Sequence, residues 1–540
     1  MLPLGRRAPW LTLLLAACGA ASAPGPDTSD AGADADASRD LPAERGAEAG
    51  VDLAPVWPPP TAYQAKSPML TDPDSNGPAM AVSCADFWKK ARDTANGGFF
   101  TFVDRQGAVT ANRNKSFVCQ SRLGIVFAHT FMLTGDETYL DEGRAALDFL
   151  YAHGWDQTNG GWYFTADDKG TPLGDGDNGS KWSFVQHYDL LGPLAMCEAT
   201  RNETDCAWAD KGRASLELLW DSRATKFGYY DYADLDFAGL RGKGFTPTVD
   251  GLGTNALLSY LLSGSSAHRK RILDLADNVL THLVAAMDAP DVKYGFPEYF
   301  DSDWNVDTMN RGGFTGHVFK TAWQLARVYL MNPDPRYRAG VRRILHALWD
   351  EGGFDKDNGA PNGSCEWSMG VHTTEKNYWE VEQGFTSGIT SFFIEDSASE
   401  RELDLEIADR SIDFLQRHFM DAEAGGMYFN TSADGSEVTN TSKSDKYESG
   451  HHCVETGYYG YLYGNLLYRR RPASLYYRFA PAKTPREIRL SPLTMEDGRL
   501  RITAVELDDA PFNGFDGQTR TLALPAGVGG KFKVTFQPVY

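Results

Sequence analysis

The sequence is short of basic residues, cysteines and long apolar segments, and each shortage excludes a class of protein. Its 52 lysines and arginines stand against 73 aspartates and glutamates, which gives a formal net charge of −21. Nucleic-acid binding needs a basic surface, so that class of partner is excluded. Seven of the 540 residues are cysteine, and none has the C-x-x-C spacing of common metal sites. After the N-terminal segment, no apolar run is long enough to predict a transmembrane helix.

Aromatic residues, by contrast, are plentiful, at 12% of the chain with 13 tryptophans and 24 tyrosines. Aromatic faces can cover the C–H groups of a sugar while nearby polar groups bind its hydroxyls. This composition fits a carbohydrate pocket, although most of the individual rings are expected in a helical core.

The first 18 residues have the features of an export signal. Arg6 and Arg7 precede a short apolar region, and the sequence LAAC ends at Cys18. This ending resembles a bacterial lipobox, which implies cleavage before Cys18, lipidation of that cysteine and a membrane anchor of several acyl chains. An ordinary secretory signal cut near Ala21 or Ala23 is the alternative.

Residues 19–65 are rich in Ala, Asp, Gly, Pro and Glu and poor in large apolar side chains. Such a segment is expected to be a disordered acidic tether between the lipid and the folded protein. Because Gly19 stands where many inner-membrane lipoproteins have Asp, we expect the outer membrane. The lipid is then the only contact with a membrane.

An even number of cysteines remains once Cys18 is set aside, and an exported chain can form disulfides. Cys197 and Cys206 are the most plausible local pair, and buried free thiols are the alternative. The six cysteines are Cys84, Cys119, Cys197, Cys206, Cys365 and Cys453.

The main pattern is a motif that recurs six times at a spacing of about 65 residues, each copy with a glycine–aromatic turn, a loop and a helix with a polar residue near its start. A period of this length indicates repeated supersecondary units. Six helical hairpins that close on themselves form an all-α (α/α)6 barrel, which we expect over residues 78–475. The turns lie at 97–100, 160–163, 227–230, 294–296, 352–354 and 425–428, and the helices begin near residues 121, 186, 255, 317, 379 and 452.

Inner and outer helices can be told apart by their patterns. Residues 123–133 are apolar around most of the helix, as expected for an inner helix covered on both sides. Residues 139–150 are amphipathic with three- and four-residue spacing, as expected for an outer helix. After the barrel, residues 476–540 alternate at period two around turns and predict a small antiparallel β-domain, for which a packing role is favoured over sugar binding.

Residues 85–470 resemble the N-acylglucosamine 2-epimerase and cellobiose 2-epimerase family. The resemblance lies at the six helix starts. They are the K…Q-x-R pattern of 115–122, the second copy of 181–188, the N-A-x-L pattern from Asn255, Gly316-His317 with Trp323, the K-x-W-W-like segment of 376–379, and the late histidines 451–452. It implies a sugar epimerase or isomerase that acts at C1 and C2 of a reducing sugar and needs neither a metal nor a cofactor.

The family pattern implies that His317 and His452 form the catalytic pair. The C2 proton of an open-chain sugar is acidic next to the carbonyl, and a histidine can remove or return it near neutral pH. Arg122 would stabilise the enediolate oxygen. Asn255 and Trp379 would bind hydroxyls and a sugar face.

Further candidate substrate-binding residues lie beside these positions. They are Gln186, His187, Glu382, Lys320 and His451. His451 is the adjacent rival of His452 for the catalytic role, and His187 is also consistent with a packing residue next to the pocket.

Four positions depart from the family pattern. Lys320 and Gln383 stand where the family has Glu, Ser259 where many members have His, and Glu455 where an Arg is often found. These departures affect the expected substrate. A lysine in the pocket would favour an anionic sugar.

Two other functions use the same barrel. A glycoside hydrolase or polysaccharide lyase would use carboxylates, for which Asp189, Glu380, Glu382 and Glu455 are candidates. A non-catalytic surface glycan-binding lipoprotein would keep the aromatic residues without proton transfer.

Overall fold

The computed structural model describes residues 61–174 and 176–539. The predicted signal peptide, the lipidated Cys18 and nearly all of the predicted tether lie outside these residues. Across the described part of the chain, no helix combines the length and apolar character needed to cross a bilayer.

Helices make up most of the fold. They are α1 (Pro68–Thr71), α2 (Pro73–Lys89), α3 (Phe117–Thr134), α4 (Thr138–His153), α5 (Ser183–Tyr188), α6 (Leu191–Thr200), α7 (Glu203–Leu216), α8 (Leu257–Ser263), α9 (Ser266–Asn278), α10 (Thr315–Met331), α11 (Pro335–Asp350), α12 (Tyr378–Ile394), α13 (Ala398–His418) and α14 (His451–Tyr463). Wider π-helical turns extend some of them, at Thr246–Asp250, Leu252–Ala256, Val279–Val284 and Gly464–Arg469. Short 3-10 turns lie at Gly176–Asn178, Glu217–Leu219, Ala285–Asp288 and Pro492–Thr494.

The helices form the predicted (α/α)6 barrel. The inner ring consists of α3, α5 with α6, α8 with its preceding π turns, α10, α12 and α14. Helix α3 is buried along nearly its whole length, whereas α4 buries one face, so the predicted inner and outer assignments of this hairpin are confirmed. The outer helices α4, α7, α9, α11 and α13 each follow their inner partner in the chain.

The sixth pair closes the ring with helices from the two ends of the barrel. The outer partner of α14 is α2, which precedes the first inner helix. A disulfide joins them between Cys84 and Cys453, which are 369 residues apart in the sequence. The predicted local disulfide between Cys197 and Cys206 is confirmed, while Cys119 stays a buried free thiol, as does Cys365.

Short strands brace the loops that lead into the inner helices. They are β1 (Lys115–Ser116), β2 (Thr165–Ala166), β3 (Lys181–Trp182), β4 (Trp220–Asp221), β5 (Gly228–Tyr229), β6 (Tyr232–Ala233), β7 (Lys243–Gly244), β8 (Tyr299–Phe300), β9 (Gly312–Phe314), β10 (Phe354–Asp355), β11 (Ala360–Pro361), β12 (Ser364–Glu366), β13 (Gly370–Val371), β14 (Lys376–Asn377), β15 (Asn430–Thr431) and β16 (Val438–Asn440). Most pair antiparallel with a strand of a neighbouring loop, as β1 does with β2, so these pairings join neighbouring loops into a rim.

A buried ion pair recurs in this rim. In five of the six repeats, a lysine in the segment that leads to the inner helix binds an aspartate next to the glycine–aromatic turn. The pairs are Lys115–Asp93, Lys181–Asp156, Lys243–Asp221, Lys376–Asp355 and Lys443–Asp421, with N–O distances of 2.7–3.0 Å. Because unpaired buried charges are costly, each pair fixes the turn relative to the start of its helix.

The predicted C-terminal β-domain is present. Its strands are β17 (Ala473–Phe479), β18 (Arg486–Arg489), β19 (Leu500–Leu507), β20 (Ala510–Pro511), β21 (Phe515–Asp516), β22 (Thr521–Leu524) and β23 (Gly530–Pro538). They form two antiparallel sheets with strand orders β17-β23-β19-β20 and β18-β22-β21. The slip in the alternation of β19 corresponds to a register shift between Ile502 and Ala504.

The β-domain packs against the barrel where the inner helices end. Arg201, which follows α6, donates to the carbonyl of Arg489 at 2.7 Å. Tyr476 lies directly against Gly135, the left-handed residue that ends α3. The opposite end of the barrel, where the inner helices begin, is therefore the end that can hold a site.

Candidate active site

The first turns of the inner helices bring polar side chains together at that open end. Arg122 comes from α3, Tyr188 from α5, His317 from α10, Trp379 from α12 and His452 from α14. Their separation along the chain is large, so only closure of the ring makes them neighbours.

The fourth repeat departs from the lysine–aspartate pattern, and it is the repeat that contributes His317. Gly313 occupies the place of the lysine before the helix. A Cβ atom at Gly313 would lie 2.5 Å from Oε1 of Glu298, so the glycine makes room for that carboxylate. Glu298 accepts a hydrogen bond from the Phe314 N–H at 3.0 Å and lies 2.9 Å from Nδ1 of His317.

His317 is held between a carboxylate and an aromatic ring. Its imidazole stacks on Phe245 with 3.9 Å between centroids and 18° between planes. With Nδ1 facing Glu298, Nε2 is the nitrogen available to a ligand. The side chain is 21% exposed, whereas Glu298 is 6% exposed, so the imidazole is accessible and its partner is protected.

His452 also lies near the Trp379 indole. The indole centroid is 5.3 Å from the ring of His317 and 6.1 Å from the ring of His452. Two carboxylate oxygens face Nδ1 of His452, from Glu455 at 3.3 Å and from Glu382 at 3.5 Å. Burial and the nearby cations, Arg122 first among them, hold the pKa of His452 well below its usual value, so its imidazole is neutral at neutral pH.

Arg122 is buried and paired. It forms an ion pair with Glu448, and its guanidinium lies 4.4 Å from the centroid of the Tyr188 ring. Glu448 also accepts from the Tyr378 hydroxyl at 3.2 Å and lies 3.7 Å from Nε2 of His452. Burial raises the pKa of Glu448 to about 7, although Arg122 opposes the shift.

Lys320 is neutralised within the protein. Its Nζ lies 2.5 Å from Asp250 and 3.0 Å from the Tyr188 hydroxyl. Burial lowers its pKa, but Asp250 outweighs burial and the net shift is upward, so the ammonium persists as half of an ion pair. A lysine already paired with a buried carboxylate offers little to an anionic sugar, and the expected preference for one loses its basis.

The carboxylates proposed for a hydrolase lie in dissimilar surroundings. Glu380 accepts from the Gly316 N–H at 2.9 Å, and burial raises its pKa to about 8. Glu382 accepts from Thr386 at 2.7 Å and from the Gln383 amide, and its pKa is raised well above normal by burial and by Glu455.

The sequence matches the profile of the N-acylglucosamine 2-epimerase (GlcNAc 2-epimerase) family over residues 97–454. The chain belongs to this family. The match includes every inner-helix start named above, from Arg122 to His452.

Curated relatives include the cellobiose 2-epimerase of Eubacterium cellulosolvens, 25% identical over 151 residues that make up 28% of this chain and 36% of the relative. The cellobiose 2-epimerase of Ruminococcus albus is 29% identical over 86 residues, or 16% of this chain and 22% of the relative. The aligned part thus spans about a third and about a fifth of these relatives.

Solved structures share the fold. A cellobiose 2-epimerase from Spirochaeta thermophila DSM 6192 superposes with a TM-score of 0.64 at 18% identity, covering 74% of this chain and 98% of that one. A D-mannose isomerase gives 0.62 at 16% identity, covering 72% and 98%. At these identities the likeness is one of fold.

Three of the residues expected at the epimerase site lie apart from the histidines. Asn255 accepts from Ser259 at 3.1 Å and lines a separate cavity of about 320 Å³ beside α7 and α9. The Gln186 amide accepts from the Trp162 N–H at 2.8 Å and donates to the Trp162 carbonyl at 2.9 Å, and so fixes a rim turn. His187 is fully buried without a hydrogen-bond partner among the described residues, and burial lowers its pKa to about 3.

Asp189 differs from Glu380 and Glu382, which both accept hydrogen bonds. Its two carboxylate oxygens are buried and have no partner in the described part of the chain, and burial raises its pKa well above normal. It lies in the break between α5 and α6. A carboxyl in this state is protonated, which suits packing better than catalysis.

The sequence reasoning missed the partners of the functional residues. Glu298 and Phe245 hold His317, Glu448 holds Arg122, and Asp250 holds Lys320. One signal was available for Glu298. The lysine that precedes the inner helix in five repeats is a glycine in the fourth, which marks that loop as different.

Proposed function

We propose that this protein is a sugar epimerase or isomerase that moves the proton at C2 of a reducing sugar, with His317 and His452 as the two proton-transfer groups. The observation that supports this is the arrangement of the two imidazoles around one indole. Both rings lie within about 6 Å of Trp379, and each has a carboxylate at Nδ1. Inversion at C2 requires two such groups, one to remove the proton and one to return it.

The neutral His452 is suited to begin as the base. It takes the C2 proton of the open-chain sugar, and the electron pair moves into the carbonyl to give an enediolate. Arg122 is the nearest fixed cation and stabilises the developing negative oxygen. Glu448 pairs with the same guanidinium. Arg122 therefore stabilises the enediolate most when the enediolate oxygen takes the place of a Glu448 oxygen in this ion pair.

His317 then completes the reaction as the acid. Its Nε2–H gives a proton to C2 from the opposite face, which inverts that carbon. Protonation at C1 instead, with transfer of the O2 proton to O1, produces the ketose. Glu298 accepts from Nδ1–H and stabilises the imidazolium form that the acid needs. The same two histidines thus serve both outcomes, and the way the sugar is held selects between them.

The substrate we infer is a neutral reducing sugar. Trp379 and the 42% exposed Phe314 offer aromatic faces near His317. Lys320 and Arg122 are both neutralised by carboxylates, so neither of these two cations favours an acidic sugar. The matched relatives are named cellobiose 2-epimerases, and a related fold is named D-mannose isomerase, which is consistent with a neutral substrate.

The test is proton NMR of the purified protein in D2O with mannose, cellobiose, N-acetylglucosamine, a uronic acid and sulfoquinovose. We expect deuterium at C1 or C2 of a neutral sugar, and loss of exchange of at least a hundredfold in His317→Asn and in His452→Asn. His346→Asn, which changes an exposed imidazole on the outer helix α11, is the matched control and should exchange normally.

A different result would redirect the assignment. Absence of exchange with every sugar, together with cleavage of an oligosaccharide that survives His317→Asn but not Glu382→Gln, would identify a carboxylate-based hydrolase. Saturable binding without either reaction would identify a glycan-binding protein.

We also propose that the protein is anchored in the cell envelope through a lipid on Cys18. Its basis is the lipobox-like sequence before that residue. Labelled palmitate should enter the wild-type protein and be absent from Cys18→Ser, which should also leave the detergent phase on partition. Absence of label from both proteins would favour an ordinary secretory signal cut near Ala21 or Ala23.

A further inference from the structure

Two buried carboxylates at the site, those of Glu382 and Glu455, both face His452. The cations of the site are engaged elsewhere, since Arg122 pairs with Glu448 and Lys320 pairs with Asp250. A positive ion beside a buried carboxylate would offset the cost of burying its negative charge.

The neighbouring imidazoles have nitrogens without hydrogen-bond partners. Among the described residues, both ring nitrogens of His451 and Nδ1 of His452 are buried and unpartnered. The two side chains are only 5% and 4% exposed. Buried polar atoms are nearly always paired, so three orphaned nitrogens in one place call for a ligand.

The donor atoms have the spacing of a metal site. Oε2 of Glu455 lies 3.3 Å from Nδ1 of His452 and 3.7 Å from Nε2 of His451, and the ligand atoms of these three residues all lie within 4.8 Å of one another. Ligands at about 2.1 Å from a tetrahedral zinc ion are about 3.4 Å apart. The observed separations match this value and are too long or poorly directed for good hydrogen bonds.

Helix α14 explains why these donors meet. His451 and Glu455 are separated by four residues, and His452 and Glu455 by three, so all three project from one side of the first turns. All three donors therefore belong to a single rigid helix, which favours a preorganised site.

We propose that His451, His452 and Glu455 bind a divalent transition-metal ion. Two imidazoles and a carboxylate suit Zn²⁺, and they favour it over Mg²⁺ or Ca²⁺, which prefer oxygen ligands. From the sequence, His452 was expected to move a proton, His451 to bind a sugar, and Glu455 was a candidate carboxylate of a hydrolase.

Metal binding and proton transfer make opposite demands on His452. A nitrogen that donates its electron pair to a metal leaves the ring a poor base, so the ion would hold the enzyme inactive and its release would restore the base. Zinc is then an inhibitor at the catalytic centre. This consequence rests on the proposed function, whereas the binding itself does not.

The test begins with binding alone. Full-length protein is stripped with EDTA and titrated with Zn²⁺ against a chromophoric chelator, and with Co²⁺ to record the visible bands of a tetrahedral site. We expect one equivalent to bind, an affinity at least tenfold lower in His451→Gln and Glu455→Gln, and near-normal affinity in His451→Cys, because a thiolate also binds zinc. His346→Gln controls for surface histidines and should bind like the wild type.

Circular dichroism and thermal melting establish that each variant is folded. Failure of the folded wild type to bind one equivalent of Zn²⁺, or equal affinity in wild type and folded His451→Gln, would overturn the proposal. The deuterium-exchange assay on the stripped protein tests the proposed function separately. Exchange that one equivalent of Zn²⁺ leaves unchanged, despite binding lost in His451→Gln, would overturn the inhibitory role.

Discussion

Replacing Glu298 by glutamine tests whether this carboxylate positions and charges His317. The change removes one negative charge and keeps the volume and the acceptor for the Phe314 N–H. The bond to Nδ1 is 2.9 Å long, and the Glu298 side chain is 6% exposed, so solvent screens it weakly. A hydrogen bond to a charged group contributes about 1.5–3 kcal/mol, which corresponds to a rate effect of roughly 10- to 150-fold.

The loss should appear in kcat, because the bond strengthens as His317 becomes an imidazolium ion. Deuterium exchange at saturating sugar gives kcat, and a series of sugar concentrations gives KM. We expect kcat to fall by that factor with KM within about threefold of the wild type.

A matched pair on the same side of the molecule provides the control. Glu366 faces Nε2 of His372 at 3.3 Å in a loop where that imidazole is exposed. Glu366→Gln should leave kcat and KM unchanged. The reasoning would be refuted by a Glu298→Gln enzyme with wild-type kcat, or by one in which KM alone rises, since both results would give Glu298 no part in the charged form of His317.

Two further predictions concern stability. Replacing Cys84 and Cys453 by serine should lower the free energy of unfolding by as much as about 6 kcal/mol in the chain-entropy treatment, because the bridge closes a 369-residue loop. Replacing Cys197 and Cys206, nine residues apart, should cost about 2.5 kcal/mol, and equal denaturant midpoints for the two double mutants would contradict this. Burial raises the pKa of Glu380 to about 8, so the folded state holds a proton that the unfolded chain releases above its usual pKa of about 4.5, and stability should fall as pH rises through that window. Glu380→Gln should lack this loss of up to about 5 kcal/mol, which urea unfolding at pH 5 and at pH 8.5 would measure; an identical pH dependence in the variant would count against it.

The barrel was predictable because its signals are local and repeated. Each hairpin has its own glycine–aromatic turn, its own amphipathic outer helix and its own apolar inner helix, so six weak patterns reinforce one another. The same repetition identified the first turns of the inner helices as the site. His317, His452 and Trp379 were found in this way, and the structure brings them together.

Side-chain direction at those turns was not predictable to the same degree. Asn255 and Gln186 occupy the expected positions in the repeat, yet one faces a separate cavity and the other holds a rim turn. A rotation of a helix by one residue turns a side chain by about 100°, and that rotation is set by packing against the neighbouring helices. The π turns before α8 change the rotation locally.

The sequence by itself determined the repeat, the helical hairpins, the terminal β-domain and the family, since each depends on patterns within about 65 residues. Only the tertiary structure decided how the ring closes and which charges pair. Helix α2 completes the last hairpin from the other end of the barrel, Arg122 meets Glu448 from 326 residues away, and Lys320 meets Asp250 from 70. These residues pair because an unpaired charge is costly in an interior without water. That interior exists only in the folded chain.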